Sequence, residues 1–212
     1  MGNIRATSCG QNLRNPFMSL LVEESLALRA RYDEEPSHSD QVCKLALEIF
    51  DGLRKWSGLG ERARELLHSA ALLHDIGWSQ TPDGKGHHKW SAKLVQEHAW
   101  KNLKRDEVVV VAQIARYHRK AVPQADHAEF HSLPATAQKQ VMVLGGILRI
   151  ADALDRTHTS RIEEITVTVS NEVVLMQVRA KGPWDAERAM FESKKEMLEL
   201  AAKRPVQCEP AK

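Results

Sequence analysis

Hydrophobic residues recur at helical spacing through the first three quarters of the chain and alternate with polar ones after about residue 160. Val42, Leu45, Ala46, Ile49, Phe50 and Leu53 follow one another at alternating intervals of three and one, the apolar stripe of an amphipathic helix. Ser37 is its predicted N-cap, with Asp40 at N3 in place of the usual Glu or Gln, and Gly58 and Gly60 break it. A shorter helix is predicted before it over Leu20–Tyr32, and Ala63, Leu66, Leu67, Ala70 and Ala71 predict one over Glu61–His74. Three more are predicted over His88–Asn102, Asp106–His118 and Thr136–Thr157. The run VVVVAQI resembles a buried strand, but inward spacing continues through Val111, Ile114 and Ala115, which favours helix.

SQTPDGKGHH and KAVPQADHAEFHSLP are loops by their Pro, Asp and Gly content. EEITVTVSNEVVLMQVRAKG alternates around Ser170 and Asn171, the pattern of a β-hairpin. A last amphipathic helix is predicted over Trp184–Lys203, with Pro205 and Pro210 ending ordered structure. The expected organisation is mainly α. A frayed N-terminus (1–16) precedes a helical bundle (17–160), a small β-hairpin and helix appendage (161–204) and a tail (205–212).

Composition narrows the partners. The 212 residues are 42% hydrophobic and carry a net charge of +2 with both signs interspersed, so a core is affordable and a nucleic-acid partner is not expected. Cys9, Cys43 and Cys208 form no CxxC pair, which reads as a reduced, cytoplasmic chain. No apolar run approaches the ~18 residues of a membrane span, and none resembles a signal peptide. MGNIRA has Ala6 where a myristoylation site wants Ser or Thr.

Candidate chemistry sits where the apolar stripes end. His38 lies four residues before Val42, His74 three after Ala71, His118 four after Ile114 and Asp152 four after Leu148. His87 or His88 opens a further helix, and Asp75 adjoins His74 in the stretch LLHDIGW. Several helices thus each offer a metal ligand where the pattern predicts a hydrophobe, as in metal sites of helical bundles. Imidazole and carboxylate without thiolate suit manganese, iron, magnesium, cobalt, nickel or zinc. One or two divalent ions are expected; two, about 3.5–4 Å apart and bridged by Asp75, make use of all these residues and activate water for phosphoester hydrolysis. Arg116, Arg119 and Lys120 around His118, and Lys85 and Lys89 around the His pair, are candidate phosphate binders, as are Arg149 and Arg156 around Asp152. His98 reads as a core histidine, and His68, His127, His131 and His158 as surface or loop residues.

The spacing His38…His74-Asp75…Asp152 resembles the H…HD…D signature of HD-domain metal-dependent phosphohydrolases. LLHDIGW, GHHKWSAKLV, IARYHRKAVP and LGGILRIADALDRTH together resemble the C-terminal HD region of the exopolyphosphatase/guanosine-pentaphosphate phosphatase (Ppx/GppA) family, from about Ser19 to Lys203. The resemblance implies an HD helical fold with metal ligation by His38, His74, Asp75 and Asp152, and with His118 and His87 or His88 as candidates for a second ion. The family's loop often reads HHKHS, and Trp90 stands here at its last His. In the full-length enzymes phosphatase activity is assigned to N-terminal ATPase-like domains, which nothing in this sequence resembles.

The expected activity is therefore hydrolysis of a small phosphorylated substrate, an ester or anhydride with nucleotides among the candidates. Asp75 would bridge the metals, and Arg116, Arg119 or Lys120 would neutralise developing charge on phosphate oxygens. The alternative is a metal-bound binding or scaffolding domain for a nucleotide, a polyphosphate or a separate phosphatase subunit. In that case the hairpin and last helix form the interface, in a homodimer or with that partner.

Overall fold

The computed structural model describes residues 19–33, 35–119 and 121–211. The expected frayed segment 1–16, Cys9 and Lys120 lie outside them. Among the described residues the chain is mainly α with one small sheet: α1 (Leu20–Arg29), α2 (Pro36–Ser57), α3 (Glu61–Leu73), α4 (His87–Glu97), α5 (Arg105–Arg116), α6 (Ala128–His131), α7 (Ala135–Ala153), β1 (Ile162–Val169), β2 (Val174–Ala180), α8 (Asp185–Lys194), α9 (Glu196–Ala202) and β3 (Val206–Pro210). A 3₁₀ turn, Ile76–Gln80, links α3 to the loop before α4.

The apolar stripes of α2, α3, α5 and α7 meet in one core, where Leu45, Ile49, Leu67, Val111, Ile114, Leu144 and Leu148 are sealed from solvent. The valine-rich start of α5 is helical. Val110, Val111 and Ile114 face inward, while the Lys104 N–H donates to the Glu107 carboxylate at 2.9 Å and closes the first turn.

The helix ends depart from the sequence expectation for identifiable reasons. Ser37 is not the N-cap of α2; the cap is Glu35, and Pro36 occupies the first helical position, which suits a residue with no N–H and a fixed φ. α4 stops at Glu97 rather than Asn102. There the Trp100 indole donates to the Val95 carbonyl at 2.7 Å, and the Glu24 carboxylate accepts the backbone N–H groups of Lys101 and Asn102. α7 ends at Ala153 instead of Thr157, and the chain then turns through His158 (φ 53°) and Ser160 (φ 47°). His98, expected in the core, is instead half-shielded just past the end of α4, with its Nε2 3.6 Å from the Glu24 carboxylate.

The hairpin forms as the alternation predicts, with Val169 opposite Val174. Its open edge is covered by α2: Gln41 donates to the Ile162 carbonyl at 2.6 Å, and Glu48 accepts the Ile165 N–H at 2.9 Å. The last helix is bent at Lys195 into α8 and α9, both packed on α7. Pro205 and Pro210 do not end the order. Val206–Pro210 pairs parallel to β2 in the order β1-β2-β3, with α8 and α9 forming the crossover that a parallel neighbour requires.

No helix among the described residues is long and apolar enough to cross a membrane.

Candidate metal centre

Five helix ends converge on one place. His38 comes from the first turn of α2, His74 caps the C-terminus of α3, His87 is the first residue of α4, His118 lies two residues beyond α5, and Asp152 is in the last turn of α7. Helix ends can carry polar groups to the core boundary without interrupting an apolar stripe, which is why each ligand-type residue sits one turn past the hydrophobic pattern.

Asp75 stands between two sets of these side chains. Its Oδ2 lies 3.6 Å from Nε2 of His74 and 3.9 Å from Nε2 of His38. Its Oδ1 lies 3.3 Å from Nε2 of His87 and 3.4 Å from Nε2 of His118. Asp152 Oδ1 joins the first set, 3.5 Å from His38 Nε2 and 3.9 Å from His74 Nε2. Two groups thus have the spacing to hold a metal ion, His38 with His74 and Asp152, and Asp75 with His87 and His118; within each, the ligand atoms lie within 4.8 Å of one another.

Each imidazole is oriented from behind through Nδ1. Asp155 Oδ2 lies 2.8 Å from Nδ1 of His38; the carbonyls of Ala71, Gly84 and Ala115 lie 2.7, 2.8 and 2.7 Å from Nδ1 of His74, His87 and His118. A carbonyl can only accept, so Nδ1 carries the hydrogen in those three and Nε2 presents a lone pair. Those three imidazoles and the carboxylates of Asp75 and Asp152 therefore turn acceptors toward one another. His87 and His118 bring their Nε2 atoms to 3.3 Å, and Nε2 of His38, Nε2 of His74 and Oδ1 of Asp75 are buried with no hydrogen-bond partner among the described residues. Converging buried lone pairs are costly unless a cation is shared among them. Backbone or carboxylate partners behind metal-binding imidazoles are the usual way of fixing tautomer and ring angle.

Charge within the cluster points the same way. Burial alone would lower the basicity of His38, but Asp152, Asp155 and Asp75 outweigh it and lift the pKa to about 10. Three carboxylates thus draw positive charge to this spot. Burial pushes His118 down to about 3 and lowers His87, which keeps both neutral and able to donate a lone pair. Burial tends to raise Asp75 and Asp152, yet His74 beside Asp75 and His38 beside Asp152 hold both below the usual carboxylate range.

The stretch LLHDIGW now has a physical account. Leu72 and Leu73 finish the buried face of α3, His74 and Asp75 enter the cluster, and Gly77 lets the following turn lie against α4. A Cβ on Gly77 would stand 2.1 Å from the His87 carbonyl oxygen and 2.4 Å from the Ser91 nitrogen. The Gly77 N–H donates to Ser91 Oγ at 2.9 Å, which fixes the start of α4 and so His87.

Of the two adjacent histidines, His87 reaches Asp75, whereas His88 is buried behind it with its ring 5.8 Å from that of His87. Among the cations, Arg119 lines the cleft over the cluster beside His87. Arg156 lines it too. Arg116 instead faces Glu129 at 4.0 Å, Lys89 is exposed outside the cleft, and Arg149 is buried, donating to the Tyr117 carbonyl at 2.8 Å.

Sequence reasoning missed three residues. Asp155, almost fully buried, orients His38. His158 is a loop residue as expected, but it stacks on His38 with ring centroids 3.8 Å apart, its Nδ1 3.2 Å from Glu35. Lys194, at the end of α8, lines the cleft and donates to the Arg119 carbonyl. Asp155 left one available signal, a third acid one turn beyond Asp152; Lys194 left none, because its place depends on how α8 folds back.

A family model described as Ppx/GppA phosphatase, domain III, matches residues 24–198, which takes in the ligand-type residues, the hairpin and α8.

Proposed function

The chain belongs to the Ppx/GppA phosphatase domain III family, and from that premise we propose that it is itself a metal-dependent phosphohydrolase of the HD type, acting on a small phosphate ester or anhydride. The observation that carries this reading is Asp75, whose two carboxylate oxygens face two separate groups of ligand-type side chains.

Divalent metal held there supplies Lewis-acid polarisation of the phosphoryl group and acidifies water. His38, His74 and Asp152 would hold one ion, His87 and His118 a second, with Asp75 shared. The chain's other residues bind and orient the substrate. Arg119, Arg156 and Lys194 bring three cations to the cleft over the cluster, where phosphate oxygens are met by charge-assisted hydrogen bonds. Asp155 and the carbonyls of Ala71, Gly84 and Ala115 keep the imidazoles in register, so little reorganises as charge develops.

The scaffolding alternative fits a closed ligand sphere with no room for phosphate. An open cleft of about 320 Å³ with three cations favours the enzyme. The test is hydrolysis of aryl phosphates by untagged protein supplied with manganese, iron, magnesium or zinc, beside an Asp152→Ala variant whose folding is checked by circular dichroism. Metal-dependent turnover that the variant lacks supports the reading; equal turnover in both removes it.

A further inference from the structure

Two clefts meet at the cluster, and they differ in charge. They share His38, Asp75, Trp78 and His158 as a common wall. The smaller holds Arg119, Arg156 and Lys194. The larger, about 730 Å³, is lined by Tyr32, Ser79, Gln80, Thr81 and Pro82 together with the acids Asp33 and Glu35, and among the described residues no Lys or Arg lines it. Its volume falls in the range of about 300–1,000 Å³ that accommodates drug-sized organic molecules.

We propose that the substrate is an organic phosphoester with a short anionic end and one planar, uncharged group, rather than an extended polyphosphate. The anionic end meets Arg119, Arg156 and Lys194, and the planar group lies on Trp78 in the larger cleft. This rests on the phosphohydrolase reading above and names its substrate class.

Charge segregation is the first support. A polyphosphate chain carries anionic oxygens on both sides of any scissile bond and binds best where cations follow its length. Here a chain running from one cleft into the other would pass from three cations to Asp33 and Glu35. An ester with a neutral organic group meets no such repulsion.

Trp78 is the second. Its ring stacks on His87 with centroids 4.6 Å apart and planes inclined by 17°, yet the residue remains 48% exposed. Gly84 (φ 66°) packs against its edge so closely that a Cβ there would stand 2.0 Å from the ring. The indole is thus held in place and offers surface at the junction of the two clefts. A rigid aromatic platform with polar Ser79, Gln80 and Thr81 beside it suits a planar group bearing hydrogen-bonding atoms.

The test is isothermal titration of metal-loaded, untagged protein, at a fixed free metal concentration, with phenylphosphonate, methylphosphonate and inorganic tripolyphosphate. The two phosphonates resist hydrolysis, share one anionic end and differ by the ring. Phenylphosphonate is expected to bind about tenfold more tightly than methylphosphonate. That ratio is expected to fall towards one in Trp78→Leu, which keeps an apolar cover over His87, and to shrink in Tyr32→Ala. Equal affinities in the wild type, a ratio that survives Trp78→Leu, or tripolyphosphate binding more tightly than phenylphosphonate would overturn the proposal. Methylphosphonate binding with no gain from the ring overturns this inference alone. Failure of both phosphonates to bind overturns the phosphohydrolase reading with it.

Discussion

Nδ1 of His38 lies 2.8 Å from Oδ2 of Asp155, a carboxylate 117 residues further along the chain and almost fully buried. Asp155 also accepts the Ser160 N–H at 2.9 Å, so one side chain ties the first turn of α2 to the loop that carries His158. Replacing Asp155 by Asn keeps the size and removes the charge behind the imidazole. Metal affinity is expected to fall about 10–100-fold. Asp155→Ala leaves the His38 Nδ1 without its carboxylate and adds a loss of about 1–3 kcal/mol in stability. Chelator competition reads the first effect and thermal unfolding the second.

Gly77→Ala tests the approach of the turn to α4. The new methyl would meet two backbone atoms, and backbone cannot swing aside as a flexible side chain does. Overpacking of this kind costs about 1–3 kcal/mol, or a fall of about 2–12 °C in Tm for a chain of this size. Because the displaced atoms belong to His87 and Ser91, the variant is also expected to lose metal from the group containing Asp75, His87 and His118. Metal analysis of the folded fraction checks this.

These two residues mark what the sequence made legible and what it did not. Gly77 stood in a stretch already singled out, and the ligand-type residues announced themselves by falling one turn beyond apolar stripes, a local and periodic signal. The predicted helices α2, α3, α4, α5 and α7 rest on the same periodicity, whereas α6 is a single turn inside the stretch KAVPQADHAEFHSLP, expected as loop. Asp155 acts through a contact with His38, 117 residues earlier, and Lys194 only once α8 folds back over the cleft. β3 was hidden for a related reason, since the five residues Val206–Pro210 that follow Pro205 carry little pattern and gain their order by pairing with β2. Ser37 lost the cap of α2 to local chemistry, namely Pro36 in the first helical position.

The cations divide by where they point. Arg119→Ala and Arg156→Ala are each expected to lower kcat/KM by about 10²-fold, the usual effect of removing a donor that stabilises developing charge. Arg116→Ala and Lys89→Ala are expected to stay within about twofold of wild type, as surface substitutions do. Steady-state kinetics on an aryl phosphate checks all four. A large loss in Arg116→Ala would restore that residue to the site.

Lys194 gives a pH dependence. Burial pushes its ammonium down to about 8 against the pull of Asp152, with the neighbouring Arg149, Arg119 and Arg156 adding to the fall. The charged form binds anions, so affinity for sulfate, which stays dianionic throughout, is expected to be highest below pH 8 and to drop as pH rises through it. The same shift makes the folded chain bind fewer protons than the unfolded one between about 8 and the ordinary lysine value, so this group's contribution to stability rises with pH across that window. Lys194→Met is expected to flatten the sulfate profile, and Lys194→Arg to carry tight binding to higher pH.

The central claim is that Asp75 is shared by two metal ions, and metal content tests it most directly. Untagged protein, loaded with manganese or iron and passed through a desalting column, is analysed by inductively coupled plasma mass spectrometry beside Asp75→Ala. The account predicts about two equivalents per chain in the wild type and a loss of both in the variant. A wild-type protein that takes up no divalent metal, or an Asp75→Ala variant that retains the full complement, would contradict it.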